Sequence, residues 1–376
     1  MLTGDSVKVN LSTMTTSACA QITPEAPESH PVNCSSILQR YCTLTKRLGG
    51  GSQGEVWLAN GHVANVHYAV KMLPATREAW DEIKAYQLIG IHEHHRHLLQ
   101  AKLLIAEDRC VNLLLEACDK DLLEYVQKSP SGVPEPLARR WSRQLCGATV
   151  HLHEMGLMHL DIKLENILLN HTGGDIEMSD IKLTDFGLSA FGAPGQTLSK
   201  LCGSGIYRAP EVSLTAKYGP YDGRKADVWS LGVCIFVLMR GCFPFAAHVP
   251  IERLELYMEP ADGVRRTPLP MIYSPIQRSR LPPSLLELLA VALAVDPACR
   301  PLTSEMLEAE WLHCGGDVEY ASDDTVGTDP DSDSGYATPP ASRRPPRCPP
   351  YLIDVRRKRR RRSQSFDKSG LHECNE

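Results

Sequence analysis

The sequence predicts an α+β chain of two lobes, a small strand-rich one followed by a larger helical one, with irregular flanks. Three observations carry this. Period-two alternation dominates roughly 41–118, helical spacing of apolar residues dominates from there to about 313, and neither period organises the two ends. A cleft is expected where the lobes meet, and such clefts are where ligands usually sit.

Residues 1–40 are rich in Ser, Thr and Pro and read as a flexible arm. Stretches 41–48, 55–59 and 67–73 alternate apolar and polar side chains or concentrate β-branched and aromatic ones, which predicts strands. Apolar spacing over 79–89 predicts a helix, and 102–106 and 112–115 predict two further strands. Beyond 118 the pattern predicts helices over 136–155, 226–240 and 285–294. The resulting lobes span about 41–117 and 118–314. The tail 315–376 is acidic from 317 to 333, Pro-rich from 338 to 350 and strongly basic from 356 to 362, and is expected to be disordered.

The 43% hydrophobic content suits a globular chain, and the net charge of −5 favours no class of partner. The 13 cysteines are dispersed without a CxxC pair, which reads as reduced thiols. Residues 1–30 are polar where a secretion signal would be apolar, and the best apolar run, 228–239, is too short to span a bilayer. A soluble nuclear or cytoplasmic protein with no membrane partner is the expectation.

Leu48-Gly49-Gly50-Gly51-Ser52-Gln53-Gly54-Glu55-Val56 contains G-x-G-x-x-G-x-V between two predicted strands. Glycines let backbone amides approach phosphate oxygens. A dinucleotide fingerprint would run from strand into helix, whereas here strand joins strand. Lys71 ends an apolar strand, and a buried ammonium needs an acidic partner. Glu82 on the next helix is one candidate and Glu78 the other. Further on come His159-Leu160-Asp161-Ile162-Lys163-Leu164-Glu165-Asn166 and Asp185-Phe186-Gly187.

These stretches resemble the catalytic loop and metal motif of eukaryotic serine/threonine protein kinases. The resemblance runs from about 41 to 313 and includes Ala209-Pro210-Glu211, Asp227-Val228-Trp229 and Arg300-Pro301. It implies the bilobal kinase fold, with ATP and Mg²⁺ as cofactors and proteins as substrates. Asp161 would accept the substrate's hydroxyl proton, Lys163 would steady the phosphate in flight, and Asn166 and Asp185 would hold Mg²⁺. Leu48, Gly49, Gly51, Gly54, Val56, Ala69, Lys71, Glu82, Leu115, Glu116, Cys118 and Leu168 would contact or position ATP, with Leu115 as gatekeeper and 116–118 as the hinge. Ser204, Glu211, Asp227 and Arg300 would form or anchor the substrate platform. Tyr86, His159 and Phe186 would stack between the lobes. Lys163 and Ser204 point to Ser/Thr acceptors. The rival reading is a non-catalytic scaffold, which usually shows a damaged Lys, Asp or Asn; Lys71, Asp161, Asn166 and Asp185 are intact.

Leu160 replaces the arginine these kinases commonly place before the catalytic aspartate, so a phosphorylated activation loop would lose its main receptor. Independence of phosphorylation at Thr197 or Ser199 is therefore expected. The hinge lacks the usual glycine pair, and the loop over 170–179 is long. His92, His94, His95 and His97 crowd one loop and read as a solvated polar segment rather than a metal site. The basic run 356–362 reads as a ligand for a nuclear import receptor or a polyanion, and 343–349 fits the pattern read by polyproline-binding modules. Thr338, Ser363 and Ser365 are candidate phosphorylation sites.

Overall fold

Strand pairing builds the first layer. The computed structural model describes residues 7–9, 37–51, 54–63, 66–91, 95–107, 109–129, 131–170, 178–245 and 281–313. Strands β1 (Val7–Val9), β2 (Cys42–Gly51), β3 (Gly54–Gly61), β4 (His67–Pro74), β5 (Ala101–Ala106) and β6 (Cys110–Glu116) form one antiparallel sheet in the order β1-β5-β6-β4-β3-β2. Helix α1 (Arg77–Ile91) follows β4 almost at once; the Thr76 hydroxyl accepts the Ala79 amide at its first turn.

Alternation along β4 decides what faces what. Val70 and Met72 join Leu38, Cys42, Ala59, Ile105 and Leu114 in one hydrophobic cluster. Ala69 and Lys71 must therefore project from the opposite face, the one that meets the second lobe.

The second lobe is helical. Short strand β7 (Lys120–Asp121) leads into α2 (Leu122–Gln127), then α3 (Glu135–Glu154), β8 (Leu157–Met158), β9 (Ile167–Asn170), β10 (Asp180–Leu183) and β11 (Ala190–Phe191). Helices α4 (Pro210–Ser213), α5 (Thr215–Tyr218), α6 (Gly223–Arg240), α7 (Pro283–Ala292), α8 (Thr303–Leu307) and α9 (Glu310–His313) complete the described part. Asp222 caps α6 through the Arg224 amide, and Gly241 ends it in the left-handed conformation. Every residue of α6 from Gly223 to Met239 except Lys225 is buried, so it is a core helix that other elements pack around. Among the described residues no helix is long and apolar enough to cross a membrane.

The nine elements expected from periodicity are present, with shifted ends. Alternation closes the first strand at Leu48, yet pairing continues to Gly51 opposite Gly54, because a ladder needs only backbone groups. Two pieces of the segment read as an arm are regular: Val7–Val9 pairs with Leu104–Ala106, and Leu38–Arg40 forms a 3₁₀ turn. Outside the described residues lie His92 and His94, most of the 170–179 loop, and the whole acidic, Pro-rich and basic tail from 314 on.

Candidate active site

The crevice face of the sheet carries Lys71. Its Nζ donates to Glu82 Oε1 at 2.5 Å and to Asp185 Oδ1 at 2.7 Å. Glu82, on the buried face of α1, is thus the acidic partner; Glu78 sits exposed in the first turn. Burial alone would lower the Lys71 pKa, but the two carboxylates outweigh it and hold the ammonium above its ordinary value. Burial raises the Glu82 pKa despite Lys71, whereas Lys71 overcomes burial at Asp185 and keeps that carboxyl below its usual range.

Strand β3 runs beside this lysine, as Val56 pairs with Lys71 in the sheet. A Cβ at Gly49 or Gly51 would meet no atom within 4 Å, so those glycines leave open space. Gly54 serves the fold instead: its φ is +121°, and a Cβ there would lie 2.1 Å from the Met72 carbonyl oxygen. Leu48 is exposed at the mouth, Val56 and Ala69 are half-buried on β3 and β4, Leu168 is half-buried on β9, and Leu115 is buried on β6.

The hinge is held from both lobes, which the sequence reading missed. Glu116 Oε1 accepts the Gln100 amide at 2.9 Å and the Lys182 ammonium at 2.9 Å. One oxygen of the Glu116 carboxylate is thus committed to protein donors from both lobes. Cys118 beside it is half-buried, and burial pushes its thiol up to about 12, far from a reactive thiolate.

On the opposing lobe three side chains close a ring. Lys163 Nζ donates to Asp161 Oδ2 at 2.5 Å and to Ser204 Oγ at 2.9 Å, and Ser204 Oγ donates to Asp161 Oδ1 at 2.9 Å. Asn166 Nδ2 donates to the Asp161 carbonyl at 2.9 Å, which commits its nitrogen and leaves its carboxamide oxygen as a hard ligand for a cation. Together with Asp185, that donor set suits Mg²⁺.

Backbone strain is held in place by designated partners. Among the described residues, Leu160 and Asp185 are the non-glycine ones at positive φ, +63° and +68°. Asp227 on α6 accepts the His159 and Leu160 amides at 2.9 and 2.8 Å, and His153 Nε2 donates to it at 2.9 Å. His153 was not anticipated; nothing local in the sequence marks it. Gly203 backs the loop from behind, since a Cβ there would lie 2.6 Å from the Leu160 carbonyl oxygen. The Asp161 amide donates to His159 Nδ1 at 3.2 Å, so Nε2 carries the proton and donates to the Thr184 carbonyl at 3.1 Å. Phe186 then packs edge-on to Tyr86 with centroids 5.0 Å apart and against His159 at 5.3 Å, as expected of the stack between lobes.

Arg300 and Glu211 form a two-pronged buried pair at 2.6 and 2.8 Å beneath the platform. Of the loop histidines expected to be solvated, His97 is instead buried, its Nδ1 donating to the Ile181 carbonyl at 3.2 Å, and half-buried His95 stacks on His151. Among the described residues no group of three or more His, Cys, Asp or Glu side chains is arranged to hold a metal ion.

Comparison with known proteins agrees with this geometry. The family model described as "Protein kinase domain" matches residues 42–312. Sperm motility kinase 3A of Mus musculus is 31% identical over 284 residues, covering 75% of this chain and 51% of that protein. CBL-interacting protein kinase 30 of Oryza sativa subsp. japonica is 33% identical over 301 residues, 76% of this chain and 57% of that one. Serine/threonine-protein kinase kin-29 of Caenorhabditis elegans is 27% identical over 282 residues, 73% of this chain and 31% of that one. The chain spans roughly half the length, or less, of the relatives it matches. With 271 residues (42–312) matched by one model and the bilobal fold around the crevice, the chain belongs to the protein kinase family.

Proposed function

We propose that this chain transfers the γ-phosphate of ATP to serine or threonine hydroxyls of protein substrates. The observation that carries the reading is that Lys71, paired with Glu82 on the sheet side, reaches Asp185 across the crevice, while Asp161, Lys163 and Asn166 are tied together on the helical lobe. Lys71 on β4 is held by two carboxylates, and its ammonium would meet the phosphate oxygens of bound ATP. Mg²⁺, held by Asn166 and Asp185, would supply neutralisation of the phosphate charge when bound.

Asp161 orients the acceptor hydroxyl and takes its proton as the new O–P bond forms; the bond from the γ-phosphorus to the β,γ-bridging oxygen breaks and ADP departs. Lys163 is bonded to Asp161 and stabilises negative charge passing between the nucleotides' oxygens and the acceptor. Its second bond, to Ser204, ties the platform to the base. That tie favours Ser/Thr acceptors, as does the likeness to kin-29, a serine/threonine-protein kinase.

Purified protein with labelled ATP, Mg²⁺ and a peptide library tests the reading. Label should enter Ser/Thr peptides with wild type and fall away with Asp161→Asn. Nucleotide binding without transfer by wild type would instead favour a scaffold built on the kinase fold.

A further inference from the structure

We propose that Arg224 is a positioning residue that holds the segment from Asp185 to Glu211 in its ordered path through neutral acceptors, so that no phosphate is needed there. This concerns regulation of the proposed kinase site and rests on that reading.

Arg224 is the second residue of α6, and its side chain is buried. One arm of the guanidinium donates to the Gly192 carbonyl at 2.8 Å; the other donates to the Ala193 carbonyl at 3.2 Å and lies 4.0 Å from Met158 Sδ. A planar fork reads two consecutive carbonyls in a way a single ammonium cannot. The Gly192 amide in turn donates to the Gly156 carbonyl at 2.8 Å. Both arms of Arg224 are thus engaged by uncharged groups.

The rest of the segment is tied the same way. Leu198 and Tyr221 exchange backbone hydrogen bonds, each at 2.8 Å, and the Tyr221 hydroxyl donates to the Lys200 carbonyl at 2.7 Å. Arg208 donates to the carbonyls of Cys202 and Gly203 at 2.8 and 2.5 Å. Beneath these bonds lies an apolar nest. A Cβ built on Gly223 would lie 2.9 Å from Leu198 Cδ1, 2.9 Å from Met158 Sδ and 3.2 Å from Leu160 Cδ2. Leu160 thus packs into this nest, which leaves no room for a side chain at Gly223. A segment ordered by phosphate needs arginines aimed at the phosphate. Here both arginines are occupied by carbonyls, while Thr197 and Ser199 stand exposed.

The test is hydrogen exchange on phosphatase-treated full-length chain, with turnover measured in parallel. In Arg224→Ala the amides of Gly192 and Leu198 should exchange about tenfold faster while peptides from 67–74 stay as in wild type. Turnover should fall about tenfold with the KM for ATP within about twofold, because the hinge and Lys71 are untouched. Arg224→Lys should recover part of both losses. If Arg224→Ala loosens 67–74 as well, the domain has unfolded, and Arg224→Gln supplies the same comparison in a milder form. Thr197→Ala with Ser199→Ala should match wild type in exchange and turnover. Unchanged exchange over 186–200 in Arg224→Ala or Arg224→Gln overturns the proposal, as does loosening of that segment in the Thr197/Ser199 double variant. Exchange needs no catalysis, so the two readings separate. A wild-type chain that transfers no phosphate, with Arg224→Ala still loosening 186–200, removes the kinase reading and keeps the clamp. Transfer by wild type with unaltered exchange in the variant does the reverse.

Discussion

Arg300 and Lys71 are both buried cations paired with a buried glutamate, yet their surroundings differ in kind. Arg300 uses all five guanidinium N–H groups inside the protein: Nε to the Ala294 carbonyl, one arm to Glu211 and the Lys225 carbonyl, the other to Glu211 and the Val295 carbonyl. Its plane also lies 5.0 Å from the Trp229 ring centroid. Nothing remains with which to bind a ligand. Lys71 donates to two carboxylates from different elements, and one of them, Asp185, keeps 32% of its side chain exposed. A saturated charge holds a fold; a charge shared across a crevice with an open-ended partner works on something that enters.

The largest effects cross over between these two sites. Lys71→Met should cut turnover by about 10²–10³-fold. It should change stability by only about 1–2 kcal/mol, because Glu82, whose pKa burial already raises, takes up a proton when left alone. Arg300→Ala strands Glu211 in a dry site and should cost about 3–5 kcal/mol in urea unfolding. Arg300→Met combined with Glu211→Leu should regain most of that, since no unpaired charge stays buried. A stable, inactive Arg300→Ala beside an unfolded Lys71→Met would reverse the contrast drawn here.

Much of this was legible from residue order because the chemistry repeats in short stretches. The catalytic-loop and metal-motif residues were identified before any geometry, and only the choice between Glu82 and Glu78 needed the helix to be seen. Lys71 was expected at the end of an apolar strand; it lies inside β4, and the burial of Val70 and Met72 is what shows which face it projects from. What stayed hidden has a common cause: the partner is a backbone group or lies far along the chain. Arg224 binds carbonyls 32 and 31 residues away, which any residue could supply. His153 braces an aspartate 74 residues on. Lys182 reaches Glu116 only because two lobes fold together. The two-residue strands β7, β8 and β11 carry no period at all, and Val7–Val9 is a strand only because β5 offers it an edge.

Ser204 tests the middle of the range. It accepts from Lys163 and donates to Asp161, so it steadies two working charges without carrying one. Ser204→Ala should slow turnover by at least about tenfold, since it loses both hydrogen bonds to charged groups. Ser204→Thr, which keeps the hydroxyl, should restore it. An alanine variant as active as wild type would mean the Lys163–Asp161 contact alone sets the base.

The smallest effect comes from imidazoles that partial burial keeps neutral, a third case beside the saturated and the working cation. His95 stacks on His151 with centroids 5.2 Å apart and meets His97 edge-on at 5.6 Å. Burial first, then the neighbouring His97, His151, Arg96 and Lys182, lower its pKa from 6.5 to about 4. Burial also lowers that of His97, although Asp180 and the Ile181 carbonyl partly oppose it. The sign follows directly. Below 6.5 the unfolded chain binds a proton that folded His95 refuses, so stability is complete above that pH and is lost as the pH falls toward 4. His95→Phe keeps an aromatic face against His151 but cannot titrate. Urea midpoints compared at about pH 7 and about pH 5 should therefore drop less in the variant than in wild type. An equal drop in both would place the acid sensitivity elsewhere and leave the histidine stack as packing alone.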